Sequence, residues 1–253
     1  MADSGPSAEI RMPHAVTRLR DARMAQSGKD FVARGSRAPR CPQCRVIPSY
    51  CLCALRPHVP THAGICLLMS DIEPLKPTNT GWLIADVVPD TFAFAWARTV
   101  VDPALLTLLQ DPQWAPVVVF PAEFVAAERV VTQVPVNPGM VGKRPLFVLL
   151  DATWPEACKM LRKSPYLDSL PVLTLEPDKL SRYRLRRSKR EAHLCTSEVA
   201  SLCFALADEE RVAQTLEAYL DVFTGHYLNA KLKLPMNMDD TAHQRLRALT
   251  AVP

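Results

Sequence analysis

The sequence predicts an α/β protein: a mostly parallel sheet with flanking helices, preceded by a small cysteine knuckle. Three observations predict it. Short, continuous apolar runs alternate with segments of helical periodicity, the pattern of strands that are covered on both faces. Four cysteines fall between Cys41 and Cys53, immediately ahead of the first such run. From Ser197 to about Lys231 the apolar spacing is helical.

Composition sets the outer limits. Of the 253 residues, 48% are hydrophobic and 22% charged, ordinary values for a globular protein. No apolar run approaches the roughly 20 residues that span a bilayer, so no membrane partner is expected. The first residues, MADSGPSAEIRMPHAV, lack the basic start and apolar stretch of a secretory signal. A cytoplasmic location is therefore expected, where eight cysteines stay reduced and clustered ones point to metal or catalysis. The chain has 23 prolines but only 8 glycines, and neither G-x-G-x-x-G nor a P-loop occurs. Any nucleotide-like ligand must be held another way.

The elements follow in order. Residues 1–40 read as a mobile, mildly basic arm with a short helix around Val16 to Met24. The knuckle occupies 41–60. The main domain, 61–235, opens with a strand from Gly64 to Met69 and a helix from Thr80 to Val88. A strand from Phe92 to Trp96 and a helix from Asp102 to Gln110 come next. Val117 to Phe120 and Leu146 to Leu150 are strands, Pro155 to Lys163 a helix, and Pro171 to Leu175 a strand. Ser197 to Ala207 and Glu209 to about Lys231 are helices, the first capped by Thr196. Residues 236–253 are left as a tail.

The cysteines Cys41, Cys44, Cys51 and Cys53 are spaced C-x2-C-x6-C-x-C. A C-x-x-C turn aims two thiolates at one ion, and the C-x-C pair closes the set from a returning segment. Four sulfurs at about 2.3 Å suit a structural Zn²⁺ and leave no open position for chemistry. Four thiolates also suit an iron–sulfur cluster.

Two loops stand out at predicted strand ends. After the strand ending at Leu150 comes Asp151-Ala152-Thr153-Trp154-Pro155-Glu156. Pro155 is preset for a first helical turn, and Asp151 or Thr153 can cap it. The carboxyl end of a parallel strand is also where open α/β sheets bind ligands, so Asp151 reads equally as a cap or a functional group. After the first strand, Glu73, Lys76, Thr78, Asn79 and Thr80 crowd a carboxylate, an ammonium and three small polar groups into one loop. Thr78 or Asn79 can serve there simply as a cap. From Lys179 to Arg190 there are seven basic residues and no acidic one, with Tyr183 among them. A polyanion suits that field, and an aromatic among arginines can stack on a base. A solvated basic loop has the same composition.

In this order, the C-x2-C-x6-C-x-C pattern, the K-P-T-N-T-G loop, the D-x-T-W turn and the Y-R-x-R stretch with a downstream T-x-E resemble the DTW-domain family. Its tRNA-uridine aminocarboxypropyltransferases are the particular likeness, over about residues 41–200. The resemblance implies a SPOUT-like, knotted α/β domain. It implies transfer of the 3-amino-3-carboxypropyl group from S-adenosylmethionine to N3 of a uridine in tRNA. Asp151 is then expected as general base, in a turn with Thr153 and with Trp154 stacking on a base or the adenine. Glu73 is expected to pair with the amino group of S-adenosylmethionine. Lys76, Thr78, Asn79 and Thr80 hold its carboxylate or the RNA. Arg182, Tyr183, Arg184, Arg186, Arg187 and Lys189 are expected to bind tRNA. An RNA methyltransferase, an rRNA aminocarboxypropyltransferase and a non-catalytic zinc RNA-binding protein remain alternatives.

Overall fold

A computed structural model describes residues 12–28, 38–134, 142–175 and 194–251. Among them, β1 (Gly64–Met69), β2 (Thr91–Ala95), β3 (Trp114–Val119), β4 (Val130–Val131), β5 (Arg144–Asp151) and β6 (Val172–Leu173) form one sheet. Its order is β2-β1-β5-β3-β6-β4, and every neighbouring pair is parallel. Later strands are interleaved between earlier ones: β5 enters between β1 and β3, and β6 between β3 and β4. The five expected strands are present. The short β4 was not anticipated, because two residues carry no periodicity.

Side-chain alternation divides the strands between two cores. Ile65, Leu67, Met69, Phe147 and Leu149 face one core. It is completed by α2 (Gly81–Val87), α5 (Thr196–Leu206) and α6 (Glu210–Leu232). Cys66, Leu68, Leu146 and Val148 face the other, against α3 (Pro103–Gln110) and α4 (Trp154–Arg162). Every residue of β1 is buried, which explains its unbroken apolar run.

Two segments set apart by sequence are packed into the domain. The helix expected near Val16 forms as α1 (Ala15–Ala25), but it is docked rather than mobile. Val16 is fully buried, and His14 caps the helix and lies 3.3 Å from the Asp86 carboxylate. The 236–253 segment, expected as a tail, contains α7 (Thr241–Thr250), whose His243 and Leu246 are buried. Polar residues dominate α7, so its apolar spacing is faint, and Asp240, its N-cap, was the available signal. The knuckle is packed in as well, since Cys44, Val46 and Leu52 belong to the core shared with α6.

Among the described residues no helix is long and apolar enough to cross a membrane. For function, the decisive feature is the register of the central strands. Met69, the last residue of β1, pairs with Asp151, the last of β5. The loops that follow both strands therefore leave the sheet side by side, at the carboxyl edge where open α/β sheets commonly bind ligands.

Candidate functional site

Asp151 shares a sheet face with Phe147 and Leu149, so its side chain points towards the α2–α5 side. Its carboxylate is 1% exposed and takes hydrogen bonds at both oxygens. Asn79 Nδ2 donates to Oδ2 at 2.8 Å, and Thr196 Oγ1 donates to Oδ1 at 2.8 Å. Asn79 reaches a second carboxylate too, donating to Glu73 Oε2 at 3.1 Å. Lys76 Nζ lies 2.6 Å from Glu73 Oε1. The Asn79 carbonyl-type Oδ1 accepts from Gly81 N at 3.0 Å, covering one of the open donors at the start of α2. One buried polar web thus links the ends of β1 and β5 to the starts of α2 and α5.

The chain is held closely at this junction. The Trp82 indole donates to the Pro74 carbonyl at 3.2 Å, folding the 73–80 loop onto α2. A Cβ on Gly81 would stand 2.7 Å from Asp151 Oδ2 and 3.1 Å from Asn79 Oδ1. Only glycine lets α2 begin this close to the carboxylate. Thr80 Oγ1 accepts from Ser197 N at 3.3 Å, while Thr78 is half-buried in the same loop.

One sequence expectation changes here and two others take definite form. Asp151 is buried behind Asn79 and Thr196. Thr196 does not cap α5; Cys195 is the N-cap, and Thr196 turns its hydroxyl to Asp151 instead. Thr153 takes the capping alternative: it is the N-cap of α4, with its hydroxyl 2.6 Å and its N–H 3.2 Å from Glu156 Oε2. Trp154 stays 37% exposed. It stacks on Phe120 at 5.3 Å with 6° between the rings and meets Phe124 edge-on at 5.4 Å.

Several residues were missed by sequence reasoning. Phe120 ended a predicted strand and offered a signal, whereas Phe124 closes a single 3₁₀ turn and offered none. Ser70 directly follows β1, and its N–H donates to the Asp151 carbonyl at 3.0 Å. The hydroxyls of Ser70 and Ser197 are buried with no hydrogen-bond partner among the described residues. Such groups are costly unless something else pairs them, and both flank the Asp151 web. Arg182, Tyr183, Arg184, Arg186, Arg187 and Lys189 all fall in 176–193, outside the described residues.

The cysteines form a second centre. All four sulfurs lie within 4.8 Å of one another. Cys41 to Cys53 is 3.5 Å, Cys44 to Cys51 is 3.6 Å, and Cys51 to Cys41 is 3.8 Å. A tetrahedron of sulfurs around one zinc has edges of about 3.8 Å, so the set fits a single ion better than a cluster whose thiolates sit on separate irons. The Cys53 hydrogen bond lowers the Cys44 thiol to about 4 despite burial. The same bond, with burial, raises Cys53, and burial raises Cys51. Four thiols this close cannot all ionise unaided; a divalent cation at their centre makes that favourable.

A family model described as DTW domain matches residues 38–228, about three quarters of the chain. The chain belongs to the DTW-domain family. No solved structure matches it. The family's span takes in the four cysteines, the 73–80 loop, the Asp151-Ala152-Thr153-Trp154 turn and the start of α5. Helices α1 and α7 of this DTW protein lie outside it.

Proposed function

We propose that this DTW protein transfers the 3-amino-3-carboxypropyl group of S-adenosylmethionine to N3 of a uridine in tRNA. The observation that carries the reading is the Glu73–Lys76–Asn79 group, hooked to Asp151 where the central strands end. The amino-acid arm of S-adenosylmethionine ends in an ammonium and a carboxylate. Glu73 and Lys76 are an ammonium-binding and a carboxylate-binding group that neutralise each other at 2.6 Å, ready to exchange partners. Gripping both ends of that arm presents its γ-carbon in line with the nucleophile, and positioning decides which carbon of the sulfonium moves. The unpaired hydroxyls of Ser70 and Ser197 offer further contacts at the same place.

Uridine N3 must lose its proton as the N3–C bond forms and the C–S bond breaks, with methylthioadenosine leaving. Thr196 is half-buried, already donates to Asp151 Oδ1, and keeps lone pairs to accept the N3–H. In this reading Asp151 serves as base through Thr196, with the proton passing from N3 to Oγ1 as the hydroxyl proton passes to Oδ1. General-base help of this kind is typically worth about 10²–10⁴-fold. Trp154, backed by Phe120 and Phe124, gives a flat apolar face on which a base can stack. The Arg182–Lys189 group supplies cations for tRNA phosphates. The cysteine set holds one structural zinc. The interleaving of β5 and β6 supports a SPOUT-like, knotted topology.

Incubation with unmodified tRNA and carboxyl-labelled S-adenosylmethionine tests the reading. Label is expected in the RNA, in a uridine derivative. A product carrying only a methyl group, or tRNA that stays unlabelled while added rRNA takes up label, would overturn it.

A further inference from the structure

We infer that Arg45 is a positioning residue that couples the cysteine knuckle to the loop gripping S-adenosylmethionine. The inference rests on the function proposed above. Arg45 directly follows the metal-ligand position Cys44 and has a φ of 65°, in the left-handed region that residues with a Cβ seldom occupy. The turn is closed on both sides of it: Arg45 N donates to the Cys41 carbonyl at 2.9 Å, and Cys41 N to the Val46 carbonyl at 2.8 Å. This backbone conformation is thus set by the segment that carries Cys41 and Cys44.

From there the side chain runs inward, and the residue is only 5% exposed. Its guanidinium lies over the Trp82 ring at 4.4 Å and the Phe223 ring at 5.2 Å, on α2 and α6. Nη1 donates to the Asn79 carbonyl at 2.9 Å. Asn79 is the residue whose side-chain amide joins Glu73 to Asp151. A continuous path of contacts therefore runs from Cys44 through Arg45 and Asn79 to both carboxylates. A buried guanidinium is expensive, and an apolar side chain would fill the space between Trp82 and Phe223 more cheaply. What the apolar side chain cannot do is hold the Asn79 backbone or supply part of the positive charge that faces buried Asp86. Arg45 thus makes the loop's placement depend on the knuckle.

Linkage requires the converse: a ligand that fixes the loop must also steady the knuckle. The test measures zinc affinity by equilibrium competition with a chromophoric chelator, with and without saturating S-adenosylmethionine. In the wild type S-adenosylmethionine is expected to tighten zinc binding by about fivefold or more, within the usual range of coupling between sites. In Arg45→Met, which keeps the packing volume, zinc content should stay at one per chain. S-adenosylmethionine should bind about tenfold more weakly and no longer tighten zinc binding. Should Arg45→Met fail to fold, Arg45→Lys, which keeps charge but not the fork, is expected to show the same lost coupling. An equal effect of S-adenosylmethionine on zinc affinity in wild type and variant would overturn the inference. A wild type that binds no S-adenosylmethionine at all would instead overturn the proposed function.

Discussion

Thr196 Oγ1 lies 2.8 Å from Asp151 Oδ1, joining the first residue of α5 to the last residue of β5 across 45 positions of chain. The half-buried hydroxyl stands in front of a fully buried carboxylate. In the proposed transfer that order gives the two residues different tasks: the hydroxyl would meet the substrate, and the carboxylate would receive the charge. It also reconciles a functional Asp151 with its lack of exposure.

The relay predicts a particular pattern of variants. Asp151→Asn keeps the shape and can still bond Asn79 and Thr196, but it cannot take a proton. It should lower kcat by about 10²–10⁴-fold with little change in S-adenosylmethionine affinity. Thr196→Val should lose a similar amount, and Thr196→Ser should recover most of it. Single-turnover rates on labelled tRNA, paired with cofactor titrations, measure both quantities. If Thr196→Val turns over like the wild type, the proton does not travel through this hydroxyl.

Gly81→Ala adds one methyl group in the most crowded part of the site. The new Cβ would meet Asp151 Oδ2 at 2.7 Å, and that oxygen is not free to swing aside because Asn79 Nδ2 holds it. Either α2 shifts or the Asn79–Asp151 bond breaks. A helix interior would gain from Gly→Ala by up to about 1 kcal/mol, so a stability gain is the competing expectation. The clash wins here, and the variant should melt lower and transfer at least about tenfold more slowly, the cost of a broken charge-assisted bond. A thermal melt and a turnover assay decide it.

The strands and most helices were legible because their periodicity was long and local. Gly64–Met69 and Pro103–Gln110 lie almost where the apolar spacing put them. The loop residues Glu73, Asn79 and Asp151 were legible as polar groups out of place at strand ends. What sequence could not show was how they meet. The Asn79–Asp151 contact spans 72 residues, and no local rule distinguishes a threonine that caps a helix, as Thr153 does, from one that serves a carboxylate, as Thr196 does. The docking of α1 was hidden for a similar reason. It depends on Asp86, a lone acidic residue in an apolar helix that reads as an oddity until His14, Arg56 and Tyr219 are seen around it.

Asp86 also predicts how stability responds to acid. Burial alone would raise its pKa, but the His14 hydrogen bond and the charges of His14, Arg56 and Arg45 bring it below its ordinary value. The unfolded chain protonates this aspartate near about pH 3.9. The folded chain does so only at lower pH. Below about pH 5 the unfolded state therefore begins to bind more protons, and the contribution of Asp86, full above that point, is lost as pH falls through the folded value. Asp86→Asn should flatten this acid limb and cost about 3–5 kcal/mol at neutral pH by leaving buried cations uncompensated. Urea unfolding from pH 3 to 7 gives both numbers. Superimposable acid limbs would show that another group governs the loss.

Removing the zinc proposed for the cysteine set should be felt well beyond the knuckle. Val46 and Leu52 are buried at 0% and 1% exposure in the core that contains Phe223 of α6. The Tyr50 carbonyl lies 2.8 Å from His226 Nδ1, and the Tyr50 hydroxyl donates to the Leu234 carbonyl at 3.0 Å. A separately folded module would unfold on chelation and leave the main melting transition in place. This one takes its apolar residues with it, and each buried Val or Leu side chain is worth about 1.5–3 kcal/mol. Losing about 3 kcal/mol from a domain of this size lowers Tm by roughly 6–12 °C. Cys51→Ser offers a gentle version, because Cys51 is exposed and the change removes a ligand without opening a cavity. Calorimetry of the chelated protein and of Cys51→Ser should show one cooperative transition, shifted downward. An unshifted main transition would mean that the sheet and its helices hold together without the knuckle.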